Sequence, residues 1–133
     1  AVSPAAIYLL PERLRAEQGT FAETGGLHAA GLFDDGAVIS LVREDVGRHN
    51  AVDKVVGAAI RAGVDPGSRG LFVSGRVSFE IVQKAAAFGL GVVAGISAPT
   101  SLAVRYGEAL GVTVVGFVRG RSLNVYSRPD RIR

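Results

Sequence analysis

The stretch REDVGRHNAVDKV at residues 43–55 concentrates acidic, basic, histidine and asparagine side chains in a chain otherwise rich in alanine, glycine and valine. It begins where an alternating, strand-like pattern gives way to a helical one. Ligands of open α/β sheets bind at such strand ends. Arg48 and His49 are therefore candidate ligand-binding residues, whereas helix capping by Asp45 and Asn50 is an alternative explanation for the same polarity.

Three further polar segments follow predicted strands: SGRVSFE at 74–80, SAPTSLA at 97–103 and GFVRGRS at 116–122. Because the carboxyl ends of such strands share one edge of a sheet, we expect all four segments to line one pocket. Arginine side chains and the free amides of helix starts suit phosphate oxygens, which predicts a nucleotide or dinucleotide ligand. The candidate residues are Arg48, His49, Ser74, Gly75, Arg76, Ser97, Pro99, Thr100, Arg119 and Arg121, with His28 left open between a structural and a ligand-binding role.

The elements that must hold these residues begin with a helix, for which Ser3 is the predicted cap and Pro4 the first residue. Pro11 predicts a kink or two short helices, and Gly19 the end of the segment. We then predict a strand in the C-terminal part of residues 21–33.

The acidic, glycine-containing stretch 34–36 predicts the turn of an antiparallel hairpin whose second strand is AVISLVRED. A helix after Gly47 comes next, then short apolar strands alternating with helices. One of these helices is expected to turn Phe79, Val82 and Ala86 inward, and Pro99 is expected in the first turn of the last. The strands are RGLFVSG, GVVAGIS and VTVVGFVRG, with LNVYS as an edge strand.

The order helix, hairpin, helix, strand, helix, strand, helix, strand predicts one α/β domain over residues 1–133. Its expected architecture is a three-layer α/β/α sandwich around a mixed, mostly parallel sheet.

The composition narrows the function classes. The net charge of +3 comes mostly from arginine, the mean hydropathy is +0.31, and no cysteine occurs in the 133 residues. Without cysteine, disulfides, thiolate zinc sites and a cysteine nucleophile within this chain are excluded. No apolar run approaches the roughly 18 residues that span a bilayer, no basic signal sequence opens the chain, and no nucleic-acid motif is present. We therefore expect a cytoplasmic protein that binds neither membrane nor nucleic acid.

The order of elements resembles the cytidine deaminase fold. In that family a histidine or cysteine ligand is followed two residues later by a glutamate, and a Pro-Cys-x-x-Cys begins the next helix. Here the residue two positions after His49 is Ala51, and the later helix opens on residues 75–78 without cysteine. We expect the deaminase-like architecture without zinc and without deamination.

Five blocks carry a closer resemblance, which covers nearly the whole chain: TGGLHAA, REDVGRHNAVDKVVG, FVSGRVSFEIVQKAA, SAPTSLAV and GFVRGRSLNVYSRPDRI. In this order they resemble the C-terminal domain of the formate dehydrogenase accessory sulfurtransferase family, FdhD. The resemblance implies a protein that takes sulfur from a cysteine desulfurase and passes it to the molybdenum bis-molybdopterin guanine dinucleotide cofactor of formate dehydrogenase. It also implies a homodimer.

The resemblance places cofactor binding on Phe117, Val118, Arg119, Gly120, Arg121 and Ser122. Guanosine diphosphate (GDP) should then bind as a fragment of the cofactor. The family carries sulfur on a Cys-x-x-Cys loop, which this chain does not contain, so we expect a piece that lacks the N-terminal domain and that loop. The alternative is a non-catalytic nucleotide- or cofactor-binding module.

Overall fold

A computed structural model describes residues 2–17 and 28–133. The first two helices are α1 (Pro4–Tyr8) and α2 (Leu10–Ala16). The Ser3 hydroxyl accepts a hydrogen bond from the Ala6 amide (3.2 Å), as expected of a helix cap. The break between the helices confirms the effect predicted for Pro11. The predicted stop at Gly19 lies outside the described residues.

The hairpin is formed by β1 (His28–Phe33) and β2 (Ile39–Asp45), which pair antiparallel as predicted. Asp34 holds the turn, because its Oδ1 accepts hydrogen bonds from the amides of Gly36 (3.0 Å) and Val38 (2.9 Å). The part of the predicted hairpin region before His28 falls outside the described residues.

Helices and strands then alternate. In chain order they are α3 (Arg48–Ala62), β3 (Gly70–Val73), α4 (Phe79–Phe88), β4 (Val92–Gly95), α5 (Ser101–Leu110), β5 (Thr113–Arg119) and β6 (Ser122–Val125), with short 3-10 turns at Pro66–Ser68 and Pro129–Arg131. Gly63, Gly89 and Gly111 cap the C-termini of the three long helices in the left-handed conformation, which glycine adopts without steric cost.

The six strands form one sheet in the order β2-β1-β3-β4-β5-β6. The central strands β3, β4 and β5 are parallel, while β1 and β6 run in the opposite direction to the other four. The predicted mixed sheet with a parallel centre is confirmed, as is LNVYS as an edge strand.

Two clusters of buried apolar residues join the helices to the two faces of the sheet. Helices α3, α4 and α5 cover one face of the sheet, where residues such as Val55, Ile81 and Val93 are fully buried. Helices α1 and α2 cover the other face, with Ile7 and Leu10 buried against it. Helix α1 contacts β5 and β6, and α2 contacts β1 and β2, so the two short helices cross the sheet from one side to the other.

Two details of the helices differ from the prediction. Helix α4 buries Ile81, Val82 and Ala85. Of the residues predicted to face inward, Val82 is fully buried and Ala86 packs half-buried against the core, while Phe79 is half-buried. Pro99 does not lie in the first turn of α5. It precedes the cap, Thr100, and forms a bridge with Val77, because this segment continues the sheet edge beyond β4 before the helix begins.

The two ends of the described chain meet at the edge of the sheet where β3 and β4 begin. Val2 bridges Ile132, and its backbone exchanges hydrogen bonds with Arg131 and Arg133 (2.8 and 2.9 Å). Among the helices in the described ranges, none is long and apolar enough to cross a membrane.

Candidate functional site

The carboxyl ends of β2, β3, β4 and β5 lie at one edge of the sheet, together with the start of β1 at His28. Backbone hydrogen bonds tie the segments beyond these ends to one another. The Thr100 amide donates to the Val77 carbonyl (2.9 Å), and the Phe117 amide donates to the Ser97 carbonyl (3.2 Å). The predicted gathering of polar segments along one edge is therefore present.

The sequence predicted that these four segments line one pocket, and in the structure they do not. Two of the segments line separate concavities at the two ends of the edge, because β2 and β5 are separated by three other strands. No residue of segments 74–80 and 97–103 lines either concavity. With strands spaced about 4.8 Å apart, their ends are roughly 20 Å from one another.

The larger concavity, which we call the arginine groove, has a volume of about 810 Å³. One wall is the β5–β6 turn and the other is the outer side of α1 and α2. Its lining residues are Ala5, Tyr8, Leu9, Pro11, Glu12, Arg15, Ile96, Val118, Arg119, Gly120 and Arg121. Arg15, Arg119 and Arg121 are exposed, and none of the three forms an ion pair with another described residue.

The backbone of the β5–β6 turn departs from regular strand geometry. Phe117 has a positive φ of 54° at a bulge in β5, a conformation that is strained for an aromatic residue. Gly120 also has a positive φ (57°), and no described residue other than its two chain neighbours has an atom within 4 Å of the place where a side chain would begin. The Arg119 guanidinium lies over the Phe117 ring, 5.8 Å from its centroid. The turn thus presents two arginines around open backbone.

The smaller concavity, which we call the histidine pocket, has a volume of about 320 Å³ and lies at the start of α3. Its lining residues are His28, Val46, Gly47, Arg48, His49 and Asn50. The Nε atom of Arg48 is buried and has no hydrogen-bond partner among the described residues.

Asp45 organises the loop that leads into α3. Its carboxylate accepts hydrogen bonds from the Gly47 amide (2.9 Å) and the Asn50 amide group (3.2 Å), and pairs with Lys54 at 2.9 Å. The hydrogen bond from Lys54, followed by that from Gly47, lowers the pKa of Asp45 to about 2. Much of the charged stretch at 43–55 is therefore satisfied internally, which favours the structural explanation for Asp45, Asn50 and Lys54.

His49 joins the first turns of two helices. Its Nε2 lies 3.0 Å from the Ser78 hydroxyl and 3.6 Å from a carboxylate oxygen of Glu80. Ser78 is buried and is the cap residue of α4, yet its hydroxyl bonds to His49 and caps no amide of its own helix. The contact gives His49 a packing role between α3 and α4.

Several other candidates support the edge structurally. The Ser74 hydroxyl accepts the Ala29 amide (2.9 Å), and the Thr100 hydroxyl accepts the Ala103 amide (3.0 Å) as the cap of α5. Pro99 lies against Gly116. Gly75 leaves room for the His28 ring, Arg76 is exposed, and Ser122 pairs with Arg119 at the start of β6.

The sequence interpretation missed the wall contributed by α1 and α2, which includes Tyr8, Glu12 and Arg15. These residues stand far from the strand ends in the chain. The only sequence signal was a polar stretch on a helix surface, which ordinarily means contact with solvent. No group of three or more histidine, aspartate or glutamate side chains that could hold a metal ion occurs in the described ranges.

Comparison with known proteins gives the chain its class. The FdhD/NarQ family profile matches residues 1–133. Sulfur carrier protein FdhD of Streptomyces coelicolor is 54% identical over 132 residues, which cover 98% of this chain and 47% of that protein. Sulfur carrier protein FdhD of Sulfolobus acidocaldarius is 53% identical over 127 residues, which cover 95% and 50%.

Among solved structures, one described as a formate dehydrogenase accessory protein of Desulfotalea psychrophila matches with a TM-score of 0.90 and 30% sequence identity. The match covers 99% of this chain and 59% of that one. The structure is thus a layered α/β domain of the kind found in that accessory protein. The chain belongs to the FdhD/NarQ family, and it spans about half the length of the curated relatives it matches.

Proposed function

We propose that this chain is the cofactor-binding part of a sulfur carrier that serves formate dehydrogenase. Its cargo would be the molybdenum bis-molybdopterin guanine dinucleotide cofactor, with a guanine nucleotide moiety held in the arginine groove. Family membership and the names of the relatives, sulfur carrier protein and formate dehydrogenase accessory protein, support this proposal.

The observation that carries the proposal is the pair Arg119 and Arg121 on either side of Gly120, at the opening of the arginine groove. Exposed guanidinium groups offer forked donors to phosphate oxygens, and the bare backbone at Gly120 lets a phosphate approach closely. A volume of about 810 Å³ lies within the range of pockets that hold small molecules and cofactors.

The sulfur itself needs a thiol, because a persulfide forms on a cysteine sulfur. None of the 133 residues is a cysteine. In this proposal a Cys-x-x-Cys outside these residues receives sulfur from a cysteine desulfurase, and the groove holds the cofactor that accepts it. Pairing of two copies, a cytoplasmic location and kinship with the cytidine deaminase architecture belong to the same proposal.

Binding of GDP tests the proposed cofactor site. Titration calorimetry should show GDP binding to the wild-type chain. Arg119→Ala should weaken it roughly 10-fold to 100-fold, because a charged hydrogen bond contributes about 1.5–3 kcal/mol. Arg105→Ala is the matched control, since Arg105 is an exposed arginine on α5 that does not line the groove. Equal affinity of wild type and Arg119→Ala would refute the assignment of the phosphate site.

The second candidate is a nucleotide- or cofactor-binding module without sulfur chemistry, for which the arginine groove alone would suffice. The two candidates differ in the protein that the whole gene encodes. That protein, incubated with a cysteine desulfurase and cysteine, should gain the mass of a sulfur atom on a cysteine if it is a carrier. An unchanged mass, with GDP binding intact, would refute the sulfur carrier and support the binding module.

A further inference from the structure

Glu12 is the one carboxylate among the described residues that line the arginine groove. It is exposed, and no ion pair within the described ranges involves it, although Arg15 stands one helical turn away on α2. A carboxylate placed among arginines without a partner is available to a ligand. The phosphates of a nucleotide would be drawn to the arginines and repelled by Glu12.

The groups beside Glu12 suit the other end of a nucleotide. Tyr8 offers an aromatic ring that is half-buried, and the apolar side chain of Leu9 is 42% exposed in the same groove wall. Aromatic and apolar surfaces take up the flat faces of nucleobases. The α1–α2 wall therefore has the character of a base site, opposite the two arginines of the β5–β6 turn.

The hydrogen-bond donors and acceptors of each base determine which base a carboxylate can recognise. An ionised carboxylate only accepts hydrogen bonds, through two oxygens side by side. Guanine presents two adjacent donors on one edge, the ring N1–H and the 2-amino group. Adenine and cytosine each present one donor beside an acceptor, and that acceptor would face the carboxylate with no proton between them.

We propose that Glu12 is the residue that selects guanine, by accepting hydrogen bonds from N1–H and the 2-amino group of the base. This inference rests on the proposed function, because it assumes that a nucleotide occupies the arginine groove. Tyr8 and Leu9 cover the base, and Arg119 and Arg121 face the phosphates.

The experiment is a titration of GDP, inosine diphosphate and adenosine diphosphate against the chain. Wild type should bind GDP most tightly, inosine diphosphate, which lacks the 2-amino group, less tightly, and adenosine diphosphate about 10-fold to 100-fold more weakly than GDP. Glu12→Gln should lose most of this discrimination by weakening GDP binding about 10-fold or more, and should leave adenosine diphosphate unchanged or bound more tightly.

Glu17→Gln is the matched control. It removes the same charge from an exposed glutamate at the C-terminal cap of α2, outside the groove, and should leave all three affinities as in wild type. A glutamate that served only to stabilise the start of α2 would change the melting temperature of Glu12→Gln without changing the order of the nucleotides.

The outcomes separate the two proposals. Equal binding of GDP and adenosine diphosphate that is still weakened by Arg119→Ala would overturn the role of Glu12 and leave the proposed function standing. Tighter binding of GDP by Glu12→Gln would also overturn it, since Glu12 would then only repel phosphate. No binding of any nucleotide would overturn the proposed function, and the inference with it.

Discussion

The arginine groove and the histidine pocket lie at two ends of one sheet edge, and they differ in how far their polar groups are bonded within the protein. Beside the histidine pocket Asp45 is bonded to Gly47, Asn50 and Lys54, and within it His49 is bonded to Ser78, although the Arg48 Nε has no partner among the described residues. In the arginine groove the guanidinium groups face open space, without ion pairs in the described part of the chain.

The difference shows that a dense cluster of charged residues can be paired largely within the protein. Much of the charge in the dense stretch at 43–55 is paired in this way and stabilises the connection between β2 and α3. In the sparser turn at 119–121 both arginines are exposed and form no ion pair with another described residue. A ligand that uses groups already bonded within the protein must replace those bonds, whereas exposed guanidinium groups exchange only hydrogen bonds to water.

The largest expected effect is that of Gly116→Ala, at the end of the edge nearest the arginine groove. A Cβ there would stand 2.6 Å from the Pro99 ring and 3.1 Å from the Ser97 carbonyl. A methyl group forced into this contact should lower the free energy of unfolding by about 1–3 kcal/mol. It should also weaken GDP binding, because β5 carries the bulge that presents Arg119. Urea denaturation and calorimetry measure the two quantities.

Gly75→Ala is the counterpart near the histidine pocket. Among the described residues its Cβ would meet only the His28 ring, at 3.1 Å from Nδ1, and a side chain can move where a backbone carbonyl cannot. We expect a loss of less than about 1 kcal/mol in unfolding free energy and unchanged GDP affinity. Equal losses for the two variants would show that the two regions are not distinct.

A smaller effect is expected for His49→Ala. The change leaves the buried hydroxyl of Ser78 without the imidazole that bonds it at 3.0 Å. The free energy of unfolding should fall by about 1 kcal/mol, the usual net contribution of one hydrogen bond. GDP affinity should stay within about twofold of wild type, because substitutions away from a contact have little effect. A large loss of GDP affinity with intact stability would move the nucleotide site to the histidine pocket.

The smallest expected effect is on the stability of the fold at acidic pH. The folded pKa of Asp45 is about 2, below the ordinary 3.8, so ionised Asp45 stabilises the fold above about pH 4. This contribution is lost as the pH falls from about 4 through 2. Melting temperatures measured across that range should therefore fall more steeply for wild type than for Asp45→Asn.

Lys54→Met is the companion variant, because the Lys54 hydrogen bond is the largest cause of the lowered pKa. Its melting temperature should depend on pH less than that of wild type over the same range. GDP binding at neutral pH should be the same in all three proteins. Parallel curves for wild type and Asp45→Asn would contradict the network described for the histidine pocket.

The sequence was sufficient for much of the fold because its signals were local. Ser3 and Gly47 each stand where a helix begins, and their effect depends only on neighbouring residues. The gathering of strand ends at one edge follows from alternating strands and helices. The candidate residues of the β5–β6 turn were likewise found from their place after a strand.

The remaining features depended on contacts between distant parts of the chain. Nothing near Glu12 or Arg15 in the sequence indicates that α1 and α2 cross the sheet to face the β5–β6 turn. The positive φ of Phe117 follows from the register shift between β5 and β6, and β-strand propensity alone would not predict it. Pro99 was misplaced because its bridge to Val77 extends the sheet edge where proline usually opens a helix.

The meeting of Val2 with Ile132 has a practical consequence. Because these two residues adjoin at the edge of the sheet opposite to both concavities, a sensor chip, fluorophore or fusion partner attached beside either of them leaves the edge with the two concavities accessible. A short linker could also join the two ends and allow the chain to be reopened elsewhere, for example in the turn at residues 34–36, as a circular permutant.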